Sequence, residues 1–205
     1  MKTQTKETQS QLTPDGAKQL LVEGNHRFVN NKMVRRDLLA QVKETTTGQF
    51  PHSVILSCID SRTSSELIFD QGIGDVFNAR VAGNIVNEDV LGSLEYSCKA
   101  AGSKLVVVLG HSKCGAVTSA CKGVELGNIT ALLSKVKPAI EKIKPTVDDI
   151  TAEDAVQKVA DENVMVAINE IRSKSEILAE MEENGEIKII GGMYDIESGM
   201  VTFFD

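Results

Sequence analysis

The sequence has no run of 18 or more apolar residues, which excludes a membrane-spanning helix of ordinary length. Its first eleven residues, Met1 to Gln11, are polar and lack the apolar segment of a secretory signal. There is no internal repeat and no low-complexity linker. The glycine pairs Gly72/Gly74 and Gly191/Gly192 lack the G-x-G-x-x-G order and downstream acid of a dinucleotide fingerprint. Basic residues are outnumbered: 22 Lys and Arg against 29 Asp and Glu leave a net charge of −7. That balance argues against a nucleic-acid or anionic-membrane partner. Cysteines number four, Cys58, Cys98, Cys114 and Cys121. Without a secretion signal they are expected to bind metal or to be buried rather than to form disulfides, which points to a cytoplasmic protein.

What remains is an ordinary globular composition, 205 residues with 41% hydrophobic, enough for one domain over residues 1–205 with a real core. The polar stretch 1–12 is expected to be disordered. Thr13-Pro14-Asp15 reads as a helix start, with Thr13 as cap and Pro14 at the first helical position. The basic run Lys32 to Arg36 reads as solvated surface. Ser53 to Ser57 fits a short buried strand that delivers Cys58 at its carboxyl end. Val76 to Val81 is a second strand. A helix capped at Asn87 is expected to run to about Ala101, with Gly102 past its end. Lys104 to Leu109 is the clearest buried strand and delivers His111, and a helix is expected to start near Cys114. Residues 129–184 read as helices broken by Pro138 and Pro145, with Ala152 to Glu183 as one long helix ended by Gly185. Ile187 to Ile190 is a strand, and residues 194–202 form a hairpin turning at Ser198-Gly199. Strands alternating with helices predict an α/β fold: a mostly parallel central sheet flanked by helices, with an N-terminal helical arm and a C-terminal helical region and hairpin. Cys58 and His111 then both lie at carboxyl ends of strands, where open α/β sheets bind ligands.

Cys58, His111 and Cys114 offer two thiolates and an imidazole, the soft and borderline donors that zinc takes. Three protein ligands with an open fourth position make a catalytic site rather than a structural one. Two thiolates offset the +2 of the ion, and a water in the fourth position would have its pKa lowered toward ~7, giving a hydroxide nucleophile at neutral pH. Asp60 and Arg62 stand two apart, so in an extended segment they point the same way. The guanidinium fork can hold the carboxylate in two-point geometry, which lysine cannot reproduce. An ionised Asp60 only accepts hydrogen bonds. It can therefore accept one from the hydroxide, and Arg62 keeps it from swinging onto the metal.

Cys58-x-Asp60-x-Arg62 and His111-x-x-Cys114-Gly115 resemble the motifs of the β-class carbonic anhydrases. Arg80-Val81-Ala82-Gly83-Asn84 and Gly191-Gly192-Met193-Tyr194-Asp195 add to the likeness, which runs from about Leu12 to the end. The resemblance implies reversible hydration of CO2 to bicarbonate and a proton, with one Zn2+ per subunit on Cys58, His111 and Cys114. It implies that Asp60 and Arg62 act as the catalytic dyad. Gln49 stands nine residues before Cys58, where the plant-like subgroup has a glutamine whose N–H contacts a substrate oxygen. Phe77 and Tyr96 match that subgroup's pocket aromatics, and Gly115 lies beside the ligands. In the family such residues reach the metal across a dimer interface, which implies a homodimer, homotetramer or other even oligomer. An allosteric subgroup carries tryptophan where this chain has Ile55, and this chain has no Trp. The non-allosteric subgroup is therefore expected. Some plant members relay protons through a histidine where this chain has Ala100, so protons are expected to leave to buffer.

Other readings remain at this stage. Asp60 and Arg62 can be a structural ion pair, Gln49 a surface amide, and Phe77 and Tyr96 core residues. Cys98 and Cys121 are expected to be buried packing residues. The same scaffold could hydrolyse carbonyl sulfide or carbon disulfide. A zinc-stabilised binding protein would instead close the metal with Asp60 or Cys121.

Overall fold

In the computed structural model, which describes residues 3–204, four parallel strands and one antiparallel strand form a single sheet. The strands are β1 (Ser53–Ser57), β2 (Val76–Arg80), β3 (Leu105–His111), β4 (Lys188–Tyr194) and β5 (Val201–Phe204), in the order β2-β1-β3-β4-β5. The chain leaves β1 to pair β2 on one side and returns to place β3 on the other. The strand order therefore reverses between β1 and β3, and at such a switch point a crevice opens beyond the carboxyl ends. Ser57 pairs with Leu109, so Cys58 and His111 emerge together at that crevice.

Every residue of β1 and β3 is buried, as continuous apolar runs covered on both faces require. Successive side chains take opposite faces. Val54, Leu56, Val106 and Val108 pack against α5 (Glu88–Glu95), α9 (Glu153–Lys174) and α10 (Glu176–Glu183) through Leu94, Val164, Ile168, Ile171 and Leu178. Ile55, Val107 and Leu109 pack on the other face against Ala17 and Leu21 of α2 (Pro14–Val29) and against Ile68 and Phe69 at the end of α4 (Ser65–Ile68). The α2 start forms as its sequence dictates: Thr13 Oγ1 accepts from Gly16 N at 3.0 Å and Pro14 follows the cap. The capping residue Asn87 and the hairpin through Gly199 are likewise where they were expected.

Three expectations need correction. The polar start is not disordered throughout the described residues: α1 (Lys6–Gln11) forms with a Thr5/Thr8 capping box, while Met1 and Lys2 lie outside them. Buried Gln9 ties α1 down by donating to Pro51 O (2.8 Å) and Ala101 O (2.9 Å). The run Lys32 to Arg36 is not all surface, because Arg36 pairs with the fully buried Asp70. The expected helix over 152–183 breaks at Ser175 (φ −119°, ψ 98°), whose hydroxyl accepts from Leu178 N and donates to Glu95 Oε1 at 2.6 Å. A serine that offers the backbone another partner stops one helix and starts the next. The helix expected from Asn87 to about Ala101 is present, as α5 to Glu95 followed by a wider π-helical turn over Tyr96–Ala100 before Gly102.

Candidate metal centre

Cys58 follows β1, His111 closes β3, and Cys114 caps α6 (Gly115–Cys121). Lys113, at φ 54°, makes the sharp turn that brings Cys114 back toward His111. The Sγ atoms of Cys58 and Cys114 and a ring nitrogen of His111 lie within 4.8 Å of one another, and all three residues are buried. His111 Nδ1 contacts Ser112 O at 2.9 Å. A carbonyl only accepts, so Nδ1 carries the proton and Nε2 presents a lone pair. Nε2 is buried with no hydrogen-bond partner. A buried acceptor facing two sulfurs lacks only a cation, and the oriented imidazole is the arrangement of a metal-binding histidine. The donor set suits zinc.

The thiols are poised for that role. The hydrogen bond shared with Cys114 lowers the Cys58 pKa to about 4, against the opposing effect of burial, with the Gly83 N–H (3.3 Å) adding to the shift. The same shared bond, together with burial, pushes Cys114 up. Between themselves the two sulfurs favour one thiolate and one thiol, and a divalent cation would displace the remaining proton.

Asp60 stands beside this set without joining it: its Oδ2 is 3.9 Å from His111 Nε2, beyond hydrogen-bond reach. Arg62 holds it through Nε to Oδ1 (2.9 Å) and Nη2 to Oδ2 (2.7 Å). The expected pairing is present, but an extended segment is not its cause. Residues 60–63 form a turn, with Thr63 N donating to Asp60 O (3.0 Å) and Arg62 N to Asp60 Oδ1 (2.9 Å). The Arg62 fork keeps Asp60 ionised, well below the usual carboxylate range, although partial burial opposes it. Cys121 is also absent from the ligand cluster among the described residues, so a closed site of four protein ligands is not assembled.

The loop from Cys58 to Thr63 is itself anchored. Arg80, at the end of β2, donates to Cys58 O (3.0 Å) and Asp60 O (2.7 Å), and the Thr63 hydroxyl lies within 3.2 Å of both carbonyls. Thr63 was not singled out in the sequence. Neither was Asn163, a buried amide on α9 that donates to Gly83 O at 2.8 Å. Its signal was legible as a polar break in the apolar stripe Val156, Val159, Ala160, Ala167.

Of the other expected site residues, Gly115 is exposed at the start of α6 next to Cys114, and a Cβ there would meet nothing within 4 Å. Phe77 and Tyr96 meet edge to face, with ring centroids 6.2 Å apart. They line a groove of about 630 Å³ with Val54, Ala79 and Gly92 on the open side of β2, and none of the three metal ligands lines it. Gln49 is exposed ahead of β1, at the amino end of the strand whose carboxyl end carries Cys58. One chain thus gathers Cys58, Asp60, Arg62, His111 and Cys114 and leaves Gln49, Phe77 and Tyr96 apart from them. No helix among the described residues is long and apolar enough to cross a membrane.

Residues 53–201 match a protein-family model described as carbonic anhydrase. Carbonic anhydrase 2 of Mycobacterium tuberculosis is 32% identical over 198 residues, which cover 94% of this chain and 93% of that protein. Among solved structures, the β-carbonic anhydrase CafA of Aspergillus fumigatus superposes with a TM-score of 0.74 at 28% identity, covering 82% of this chain and 81% of that one. One of two tetrameric β-carbonic anhydrases of Sordaria macrospora also gives 0.74, at 25% identity over 80% of this chain and 85% of that one.

Proposed function

This chain belongs to the β-class carbonic anhydrases, and from that membership we propose that Cys58, His111 and Cys114 hold one zinc ion per subunit. The chain is a carbonic anhydrase, interconverting CO2 and bicarbonate. The observation that carries the metal assignment is the orphaned His111 Nε2, buried and facing two thiols. Bound zinc supplies the Lewis acidity that makes water a nucleophile near neutral pH. The chain's own residues do the rest. Asp60, able only to accept, orients the O–H of the attacking water and thereby aims an oxygen lone pair at the CO2 carbon. Arg62 supplies no proton; it holds Asp60 in that orientation and off the metal.

In this reading Gln49, Phe77 and Tyr96 serve the site of a second copy. The Gln49 amide donates to a substrate oxygen, Phe77 and Tyr96 wall the apolar pocket, and Gly115 leaves room beside Cys114. Support comes from their exposure: Tyr96 is 58% exposed although it packs on Phe77 at a sheet edge, and unpaired aromatic surface of this kind marks an interface. The enzyme is then a homodimer, or a homotetramer like the Sordaria relatives. Residues 1–205 act as one domain. Ile55 and the grip of Arg62 on Asp60 favour the plant-like, non-allosteric subgroup. With Ala100 where some relatives carry a histidine, the proton leaves to buffer. Four cysteines without a disulfide suit the cytoplasm.

The test is stopped-flow CO2 hydration by zinc-loaded protein from about pH 6.5 to 9, the range around a metal-activated water. Activity that rises smoothly across the range supports the whole reading. An abrupt onset above about pH 8 would keep the activity and overturn the subgroup. No activity with zinc bound would overturn the proposed roles of Asp60 and Arg62.

A further inference from the structure

Asn163 lies in the middle of α9 and is 2% exposed, on a helix face otherwise made of Val156, Val159, Ala160 and Ala167. An amide buried among such residues is costly unless it is bonded. Its Nδ2 donates to Gly83 O at 2.8 Å, across 80 residues of chain. The N–H of the same glycine donates to Cys58 Sγ at 3.3 Å. Gly83 sits at φ 72° and ψ 15° in a 3-10 turn over Ala82–Asn84. Glycine tolerates many backbone angles, so the direction of its N–H must be set from outside. One restraint is the turn bond from Asn84 N to Val81 O (2.9 Å); the other is Asn163. The backbone of Cys58 needs neither, because Arg80 and Thr63 already hold its carbonyl.

We propose that Asn163 is a positioning residue of the metal centre: by fixing the Gly83 carbonyl it aims the Gly83 N–H at Cys58 Sγ. That bond draws electron density from the sulfur and sets how strongly Cys58 donates to a cation, as hydrogen bonds behind metal ligands generally do. The inference rests on the Cys58–His111–Cys114 metal reading and adds a residue to it that touches neither metal nor substrate.

The full-length protein is tested as Asn163→Leu, which keeps the branched shape and heavy-atom count of the side chain and removes the donor, and as Asn163→Ser, which is too short to reach Gly83. Ile171→Ala, two turns further along the buried face of α9 and fully buried, is the control for simple loss of packing. Zn2+ affinity is measured by competition with a chromophoric chelator. The thiolate-to-metal charge-transfer band is measured on Co2+-loaded protein. Both Asn163 variants are expected to bind Zn2+ about 10- to 100-fold more weakly, because Cys58 Sγ loses the bond that orients it toward His111 and Cys114. Their cobalt band is expected at longer wavelength, because a sulfur without its N–H donor holds its electrons less tightly. Ile171→Ala is expected to lower the melting temperature and leave both readouts unchanged. A folded Asn163→Ser protein with wild-type affinity and an unshifted band overturns the inference, and this variant decides if Asn163→Leu does not fold. Failure of the wild-type protein to bind either ion at Cys58 would instead remove the underlying metal reading.

Discussion

Arg62 grips Asp60 within a single turn of chain, with Nε on Oδ1 at 2.9 Å, Nη2 on Oδ2 at 2.7 Å and the Arg62 backbone N–H on Oδ1 at 2.9 Å. All three bonds occupy lone pairs of the carboxylate, and they leave Oδ2 3.9 Å from His111 Nε2. Asp60 is thus held next to the ligand set by a neighbour in sequence and needs no distant partner to stay there.

If Asp60 orients the attacking water as proposed, Asp60→Asn removes that acceptor while leaving Cys58, His111 and Cys114 in place. Zinc content by atomic absorption is expected to be unchanged, and the CO2 hydration rate is expected to fall about 10²-fold or more, the usual weight of a positioned proton-handling group. Arg62→Lys keeps the charge and loses the two-point fork, so the rate is expected to fall there too, with zinc retained.

Asp70 is fully buried against Arg27 and Arg36 and also accepts from Val34 N. Burial pushes its carboxyl up, but the two arginines and the Val34 N–H outweigh that and lower it. A depressed carboxylate stabilises the fold above its unfolded pKa of about 3.9, and this contribution is lost as pH falls through the lower folded value. Asp70→Asn is expected to cost about 3 kcal/mol in urea unfolding at pH 7, the scale of breaking one side of a buried pair. The difference from wild type should shrink steadily below about pH 4. An undiminished difference at pH 3 would contradict the assignment.

Stripping metal with a strong chelator is expected to abolish hydration and lower the melting temperature. Returning Zn2+ to about 1,000 times its Kd should restore about 4 kcal/mol of stability, since an ion that binds only the folded state stabilises by mass action. Rebinding should also release a proton into weakly buffered solution, because the Cys58–Cys114 pair retains one.

Gly24 illustrates a reversal of sign. By helix propensity, Gly→Ala inside α2 should stabilise by about 1 kcal/mol. A Cβ at this position, however, would stand 1.8 Å from Phe69 O. Gly24→Ala is therefore expected to destabilise by about 1–3 kcal/mol or more, measured by urea unfolding.

If Gln49 serves a neighbouring subunit, Gln49→Ala and Asp60→Asn should complement. Each homo-oligomer is expected to be impaired. Mixed subunits, unfolded and refolded together, would contain one site with an intact Asp60 and an intact Gln49, and activity should recover above that of either parent. No recovery in mixtures shown by mass spectrometry to be hetero-oligomeric would place Gln49 outside the reaction.

The sequence by itself determined the strands that carry Cys58 and His111, the caps at Thr13 and Asn87, the α/β class, and Cys58, His111 and Cys114 as the residues that come together. Those signals are local: apolar runs, capping residues, and a cysteine or histidine at the end of a strand. The Asp60–Arg62 pair was also legible, although the turn that joins them was not, because nothing in a five-residue motif separates extended chain from a turn closed by Thr63. Tertiary structure alone decided the rest. It buried Arg36 in what reads as a surface run, because Asp70 arrives from another element to neutralise it. It ordered the polar start, because Gln9 finds the carbonyls of Pro51 and Ala101. It broke a long helix at Ser175, whose hydroxyl meets Glu95 from a different helix. It also set Asn163 behind Cys58 through Gly83. Each of these depends on a hydrogen bond or ion pair between residues far apart in the chain, and such partners exist only once the sheet has folded and brought them within about 3 Å of one another.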